Sequence, residues 1–312
     1  MTKQSSNHVM MVWSPGFRSN AQTIDTNFAQ ASDSQCSEKA LDDIARKAHA
    51  EFQGLQQQLE SKGVQVTVKE GASTSPDCIF PNNTFSTHSA VECGSSTTVF
   101  YPMLAPNRQA ELSEERQADL AAQYDLVIDL RSHFDQGEIL EGTGSLVLDR
   151  MNKIAYANYS PRTHKELTQA WAETMGYMLV MFDALDGHNK VVYHTNVVMW
   201  IGTHAAGICL EAIPDAAQRQ LVKESLSSSG KKVIELTKAQ MDAPNFAANA
   251  LEVLDGNGRP MLALSAAAWA AYTTAQKEVV EKAFPGGAIA APIPTIETYG
   301  GGSVRCMLAE IF

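Results

Sequence analysis

The sequence predicts an α/β fold in which one small module is repeated five times around a closed ring. Three observations lead to it. Helical patterns occur five times, and the last four open about fifty residues apart, at Ser113, Thr163, Asp215 and Ser265. Two or three short β-rich runs lie between successive helices, as expected of a repeated supersecondary unit. No Pro/Ser/Gly-rich linker interrupts the 312 residues, so the chain reads as a single domain over 1–312. On pattern alone, a plain two-layer α/β sheet is the competing architecture.

The elements follow in order. HVMMVW (8–13) is apolar and β-branched, which suits a strand. The helix after it, 37–63, has Ser37 to accept from its first turn and Gly63 as a stop. VQVTVKE, TTVFYPM and YDLVIDL read as strands, with a helix between the last two that opens at Ser113 and places two acids where the helix dipole favours them. SLVLDR, KIAYANYS and YMLVMFDAL are strands around a helix whose capping box pairs Thr163 with Glu166. VVYHTNVVMWIG (191–202), GICLEAI and KVIEL are strands around a helix that starts at Asp215 and stops at Gly230. PMLALS and PIPTIET are strands around one helix running on from Ser265.

Composition narrows the function. Hydrophobic residues at 44% and charged residues at 19% suit a globular enzyme. A net charge of −11 without a basic run argues against nucleic acid, whose binding needs clustered Lys and Arg. No stretch approaches the ~20 apolar residues needed to span a bilayer, and no signal-peptide core opens the chain. A cytoplasmic protein is expected. The five cysteines, Cys36, Cys78, Cys93, Cys209 and Cys306, show no C-x-x-C pair or zinc spacing, so free thiols are expected.

Four segments place polar residues in apolar surroundings: DCIFPNNTFSTH (77–88), EILEGTGSLVLDR around Glu141, VVYHTNVVMWIG with His194 and Asn196, and ETYGGGSVRCMLAEIF (297–312). If 191–202 is a strand, His194 and Asn196, two apart, share one face. Alone, His194 reads as a satisfied core histidine, EGTG and NN as ordinary turns, and Cys306 as a small buried hydrophobe. Together they supply a thiol nucleophile, an imidazole to shuttle protons and a carboxylate to orient it. The glycines before Cys306 permit close backbone approach to a ligand, and Arg305 is placed to help hold a thiolate.

In this order, DCIFPNNT, LEGTGS, SPRT, YHTN and GGGSVRCM resemble the guanidine-modifying enzymes of the pentein fold. These are the arginine deiminases, dimethylarginine dimethylaminohydrolases and glycine amidinotransferases. Among them the chain looks most similar to the arginine-deiminase-related proteins described as citrulline-utilisation hydrolases. The resemblance runs from SPGFRSN to Phe312. It implies a five-module α/β propeller of pseudo-fivefold ββαβ repeats, no cofactor and no metal. It also implies Cys306 as nucleophile, His194 as general acid and base, and Glu141 as the carboxylate that orients it. Arg162 in SPRT matches an arginine that binds a substrate carboxylate, and Arg108 a second substrate-binding arginine. Asp77, Asn82 and Asn83 fall on the D-C-x-F-x-E-D acids of the dimethylarginine hydrolases, and Asn196 on the aspartate of the deiminases' His-x-Asp.

The departures concern charge. Asn82, Asn83 and Asn196 are amides where those relatives carry acids, and an unmatched charge in a desolvated pocket is costly. A neutral ureido group suits amides, whereas a guanidinium would lose its counter-charges. The expected activity is hydrolysis of citrulline to ornithine, ammonia and carbon dioxide through a covalent S-acyl-cysteine. Its alternative is an arginine deiminase, dimethylarginine hydrolase or amidinotransferase acting on a guanidinium. The expected partner is a small amino acid rather than nucleic acid or membrane, with a homodimer left open. Two further readings carry less: a binding protein of the same fold without turnover, and a metalloenzyme using His194, His88 and the acids, whose spacing fits no metal motif. Phe17 and Asn20 are expected either on the substrate wall or in a surface turn.

Overall fold

The computed structural model describes residues 2–312. These residues form five three-stranded sheets, all of one topology: two antiparallel strands, then a third strand parallel to the second. Phe85–His88, Thr97–Phe100 and Leu126–Asp129 make one sheet, and Val147–Asp149, Ile154–Asn158 and Met178–Phe182 the next. Met199–Ile201, Ala205–Ile208 and Lys232–Glu235 make the third, and Leu251–Leu254, Pro260–Ser265 and Ala288–Ala291 the fourth. The fifth draws on both extremes of the sequence. Ala309–Glu310 runs antiparallel to His8–Trp13, pairing Val9 with Glu310 and Met10 with Ala309, and His8–Trp13 runs parallel to Gln65–Glu70.

A parallel neighbour requires a crossover, and each sheet has a helix in that place. The helices are Glu38–Ser61, Glu114–Ala121, Lys165–Met175, Ala216–Ser228 and, in the fourth sheet, the pair Ala266–Ala271 and Thr274–Ala283. Ser37, Ser113, Asp215 and Ser265 cap them through side-chain oxygens, as their positions in the sequence predict. The antiparallel pairs are the most buried, with all of Phe85–His88 and Ile154–Asn158 inside, while half the residues of the outer Gln65–Glu70 and Lys232–Glu235 are exposed. Cys306 lies in the apolar cluster that joins the fifth and fourth sheets, with Val9, Met11, Val304 and Leu308. No helix among the described residues is long and apolar enough to cross a membrane.

Four expectations need correction. Residues 191–198 are not strand: the Val192 and Tyr193 carbonyls are taken by Asn158 Nδ2 at 2.6 Å and Ser160 Oγ at 2.8 Å, which removes them from a ladder. His194 instead precedes a helical turn, Thr195–Val198, and the strand begins at Met199. Thr163 does not cap its helix. It bridges to Leu140 and Ser160, and the helix starts at Lys165 with His164 before it. The helix from Ser265 is two helices, because Thr273 opens a second one with a capping box to Gln276. PIPTIET is helical from Pro294, where proline's fixed φ suits a first helical position.

Candidate active site

Each connection from one sheet to the next ends in a buried turn, and Asp77, Asn82, Asn83, Glu141, His194, Asn196 and Cys306 lie on or beside these turns. Pro76 and Pro81 start two short 3₁₀ turns that bury Asp77, Asn82 and Asn83. Glu141 precedes the turn Gly142–Ser145, His194 the turn Thr195–Val198, and Cys306 sits within Val304–Met307. The glycines of EGTG are fixed by contact. Gly142 has φ +44°, and a Cβ there would stand 2.6 Å from the Asn82 carbonyl oxygen. A Cβ on Gly144 would stand 2.2 Å from Asn83 Nδ2 and 2.9 Å from the His194 ring. Gly-x-Gly therefore lets three turns pack onto one another.

Glu141 is fully buried, accepts from three groups and has a fourth, Arg108, within ion-pair distance. His194 Nε2 lies 2.7 Å from Oε2, the Leu104 N–H 2.9 Å from Oε1, and the Arg162 and Arg108 guanidinium groups 3.4 and 3.7 Å from Oε2. Burial alone would raise its pKa, but Arg162, the His194 hydrogen bond and Arg108 outweigh burial and hold the carboxyl below the usual range. Burial pushes the His194 imidazole down to about 4; Glu141 opposes this, and Arg162 and Arg108 reinforce it. A neutral His194 beside an ionised Glu141 donates its one proton from Nε2, which leaves Nδ1, on the Gly144 side, able to accept one.

Cys306 is 3% exposed. Asn196 Nδ2 lies 3.4 Å and Asn249 Nδ2 3.2 Å from Sγ. Asn249 was not among the residues the sequence singles out. Its signal is NFAANAL, an asparagine in an apolar run between two sheets, the setting shared by Asn83 and Asn196. Arg305, expected to hold a thiolate, turns away: it donates to the Leu308 carbonyl at 2.9 Å and lies 3.7 Å from Glu310.

Cys306, His194, Asp77, Asn83, Arg108 and Arg162 line one cavity with Asn27, Tyr193 and Gly300–Gly302. Glu141 and Asn196 stand behind it as partners of His194 and Cys306, and Asn82 lies outside its wall. Arg108 is committed to the protein. It pairs with both oxygens of Glu111 at 2.9 and 3.0 Å, with Asn83 Oδ1 at 3.2 Å and with the Asp77 and Phe80 carbonyls. Its geometry is that of a positioning group, rather than the free substrate-binding arginine expected. Arg162 is bound to Glu141 and to Thr26 Oγ1 at 2.8 Å and lies over the Tyr193 ring, while its Nε has no partner. Asp77 Oδ2 accepts from Asn20 at 2.9 Å and Thr23 at 3.2 Å; Oδ1 is free. The Nδ2 atoms of Asn82 and Asn83 and the Oδ1 atoms of Asn82 and Asn196 are also buried without partners. Buried polar atoms normally find partners, so such a concentration points to a polar ligand.

The cavity itself is about 10 Å³, roughly one water molecule. It is closed by Asn27 Nδ2 on the Gly300 carbonyl at 3.2 Å and by Tyr193 Oη on that of Gly301. A Cβ on Gly300 would meet Phe80 at 2.7 Å, with Phe17 next at 3.5 Å. Phe17 and Asn20 are buried one layer behind the wall, Phe17 near Gly300 and Asn20 on Asp77 Oδ2, rather than in a surface turn. His88 is elsewhere, paired with Glu92 at 2.8 Å. Cys93 is near enough to complete a ligand set, but the Arg150 guanidinium already takes both Glu92 oxygens at 3.0 Å.

Residues 14–312 match the family described as eukaryotic N,N dimethylarginine dimethylhydrolase. No curated sequence matches the chain. Among solved structures, the substrate-bound N-terminal domain of ArgZ, an arginine dihydrolase from the ornithine–ammonia cycle in Cyanobacteria, superposes with a TM-score of 0.73. Identity is 16%, over 97% of this chain and 97% of that one. The chain spans 40% of the length of the larger ArgZ chain. A dimethylarginine dimethylaminohydrolase, as an adduct with S-methyl-L-thiocitrulline, superposes with a TM-score of 0.61 at 15% identity over all of both chains. These likenesses establish the fold.

Proposed function

The chain belongs to the N,N dimethylarginine dimethylhydrolase family of pentein hydrolases, which cleave amidine C–N bonds, and from that premise we propose that it hydrolyses the ureido group of citrulline. One observation carries the reading: Asn83 on the cavity wall has an unpartnered buried N–H and Asn196, behind Cys306, an unpartnered buried C=O, at positions where the sequence resemblance implies acids in guanidinium-binding relatives. A neutral ureido group offers one acceptor and several donors, which amides match without leaving a charge unpaired.

In the reaction proposed, His194 Nδ1 takes the Cys306 thiol proton and the thiolate attacks the ureido carbon. The tetrahedral intermediate collapses as imidazolium protonates the terminal nitrogen, which leaves as ammonia. Water, deprotonated by His194, then cleaves the S-acyl bond and releases ornithine carbamate, which decarboxylates to ornithine and carbon dioxide. Glu141 holds the His194 tautomer and stabilises the imidazolium. The same reading takes the five sheets as blades of a propeller, supported by their common topology and by the pairing of Ala309–Glu310 with His8–Trp13. It treats 1–312 as one catalytic domain and places it in the cytoplasm, where the five unpaired cysteines fit.

A second reading, a guanidinium substrate such as arginine or a methylated arginine, rests on Asp77. Its free, buried Oδ1 is a charged acceptor on the cavity wall. The two are separated by assaying purified enzyme on citrulline, arginine and dimethylarginine, with ammonia and amino-acid products measured. Ornithine and ammonia from citrulline are expected. Turnover of arginine or dimethylarginine with none of citrulline would falsify the ureido reading in favour of the second.

A further inference from the structure

A cysteine that attacks as a thiolate needs something to hold its negative charge, and cationic neighbours are the usual means. Among the described residues, no cation hydrogen-bonds or ion-pairs with Cys306 Sγ, and Arg305, next in sequence, is bound to Leu308 and Glu310. The polar groups on Sγ belong to two amides: Asn196 Nδ2 and Asn249 Nδ2 donate to it, and Asn249 Oδ1, at 3.7 Å, accepts from the thiol when it is protonated. The orientation of Asn249 follows from its other partner. The same atom lies 3.1 Å from the Asn196 backbone carbonyl, which can only accept, so the group there is NH₂ and its second hydrogen points to sulfur. Asn249 is fully buried, and its own N–H donates to the Phe246 carbonyl at 2.8 Å, which fixes the turn that carries it.

We propose that Asn249, together with Asn196, is the thiolate-holding donor of this enzyme. It touches the reacting atom and supplies, from neutral groups, the stabilisation that a guanidinium substrate would bring with its own charge and a ureido substrate does not. The inference rests on Cys306 as the nucleophile of the proposed reaction. Hydrogen bonds to an ionised sulfur are charge-assisted, so losing one of two favours the thiol by about tenfold or more.

Alkylation of Cys306 by iodoacetamide, with no substrate present, tests this. The thiolate displaces iodide, and mass spectrometry of the Cys306 peptide separates the product from the other four cysteines. The wild type is compared with Asn249→Ala and with the nearly isosteric Asn249→Asp, after circular dichroism confirms the fold of each. The charged and titratable groups around the sulfur are His194 and Tyr193, Asp77, Arg108 and Arg162 on the cavity wall, Arg305 on its own turn, and Glu141 behind His194. All are common to the three proteins, so the difference reports position 249. The pH of half-maximal alkylation is expected to rise by about one unit in Asn249→Ala, and further in Asn249→Asp, where a carboxylate replaces the donor. Profiles superimposed on that of the wild type overturn the inference and leave the citrulline reading standing. An enzyme inert to citrulline overturns that reading and leaves a shifted alkylation profile intact.

Discussion

His194 shares the Glu141 carboxylate with the guanidinium groups of Arg108 and Arg162, buried where solvent cannot stabilise a second proton. Burial, with the two arginines, pushes the imidazole down from an ordinary 6.5 to about 4, against the pull of Glu141. The unfolded chain therefore takes up this proton before the folded one does. The stability tied to the neutral ring is complete above pH 6.5 and is lost as pH falls through about 4. Between pH 7 and 4.5 it amounts to about 2–3 kcal/mol, from the size of the shift. Urea denaturation of wild type and His194→Gln at both pH values measures it: the wild type should lose that much more stability on acidification. An equal loss in both proteins means that the folded ring ionises normally. Glu141 adds in the same direction, because its carboxyl, held low in the folded state, stabilises above the unfolded pKa and ceases to as pH falls. The kinetic counterpart is an acid limb of kcat/KM nearer pH 4 than 6.5.

Helices order the loop that delivers the thiol. Glu51, in the fourth turn of Glu38–Ser61, accepts from the Thr295 and Ile296 N–H groups, both at 3.0 Å, and so caps the helix Pro294–Gly300 that leads into the three glycines. Glu51→Ala leaves two first-turn donors without their acceptor and should cost about 1–2 kcal/mol, read as a lower melting temperature, with a drop in turnover as Cys306 loses its fixed approach. Unchanged melting and turnover would mean that water replaces the carboxylate. This contact lies 244 residues apart in sequence, and that separation explains which parts of the molecule the sequence discloses. Ser37, Ser113, Asp215 and Ser265 are legible because a cap acts on donors two or three residues away. Glu141, His194 and Cys306 are legible as a set because their residue types make one chemistry. The strand assigned to 191–198 fails because Asn158 and Ser160, more than thirty residues earlier, take its carbonyls. Arg108 is only partly legible for the same reason: Glu111 is visible nearby, but Asn83 and the Phe80 carbonyl, which complete its shell, are not. Asn249 has no local signature beyond a polar residue in an apolar run, and its role emerges only when Cys306 is brought against it from 57 positions away.

At the scale of the whole molecule, the position of Cys306, the proposed nucleophile, depends on how the first and fifth sheets are joined. Cys306 is three residues from the strand Ala309–Glu310, which is paired with His8–Trp13 on one side and fastened to the first sheet by one hydroxyl on the other. Thr87 Oγ1 donates to the Glu310 carbonyl at 2.9 Å and accepts from the Phe312 N–H at 3.0 Å, and Thr87 is 1% exposed. The seam also holds Arg150, whose guanidinium lies 4.2 Å over the Phe312 ring and 3.6 Å from Glu310, and Tyr124, whose hydroxyl donates to the Phe312 carbonyl at 3.1 Å. Thr87→Val keeps the volume and the β-branched shape of a strand residue but leaves a half-buried carbonyl and a half-buried N–H without their partner, which costs about 1–2 kcal/mol. In a protein of this size that is a fall of several degrees in melting temperature. If the seam also sets the height of Cys306, alkylation of that thiol in the variant should slow or quicken while the four other cysteines react as before. A stability loss confined to melting, with Cys306 unchanged in reactivity, would show that the Gly300–Gly302 turn and Asn249 position the sulfur by themselves. A variant as stable as the wild type would mean that the pairing with His8–Trp13 holds the strand without help from the first sheet.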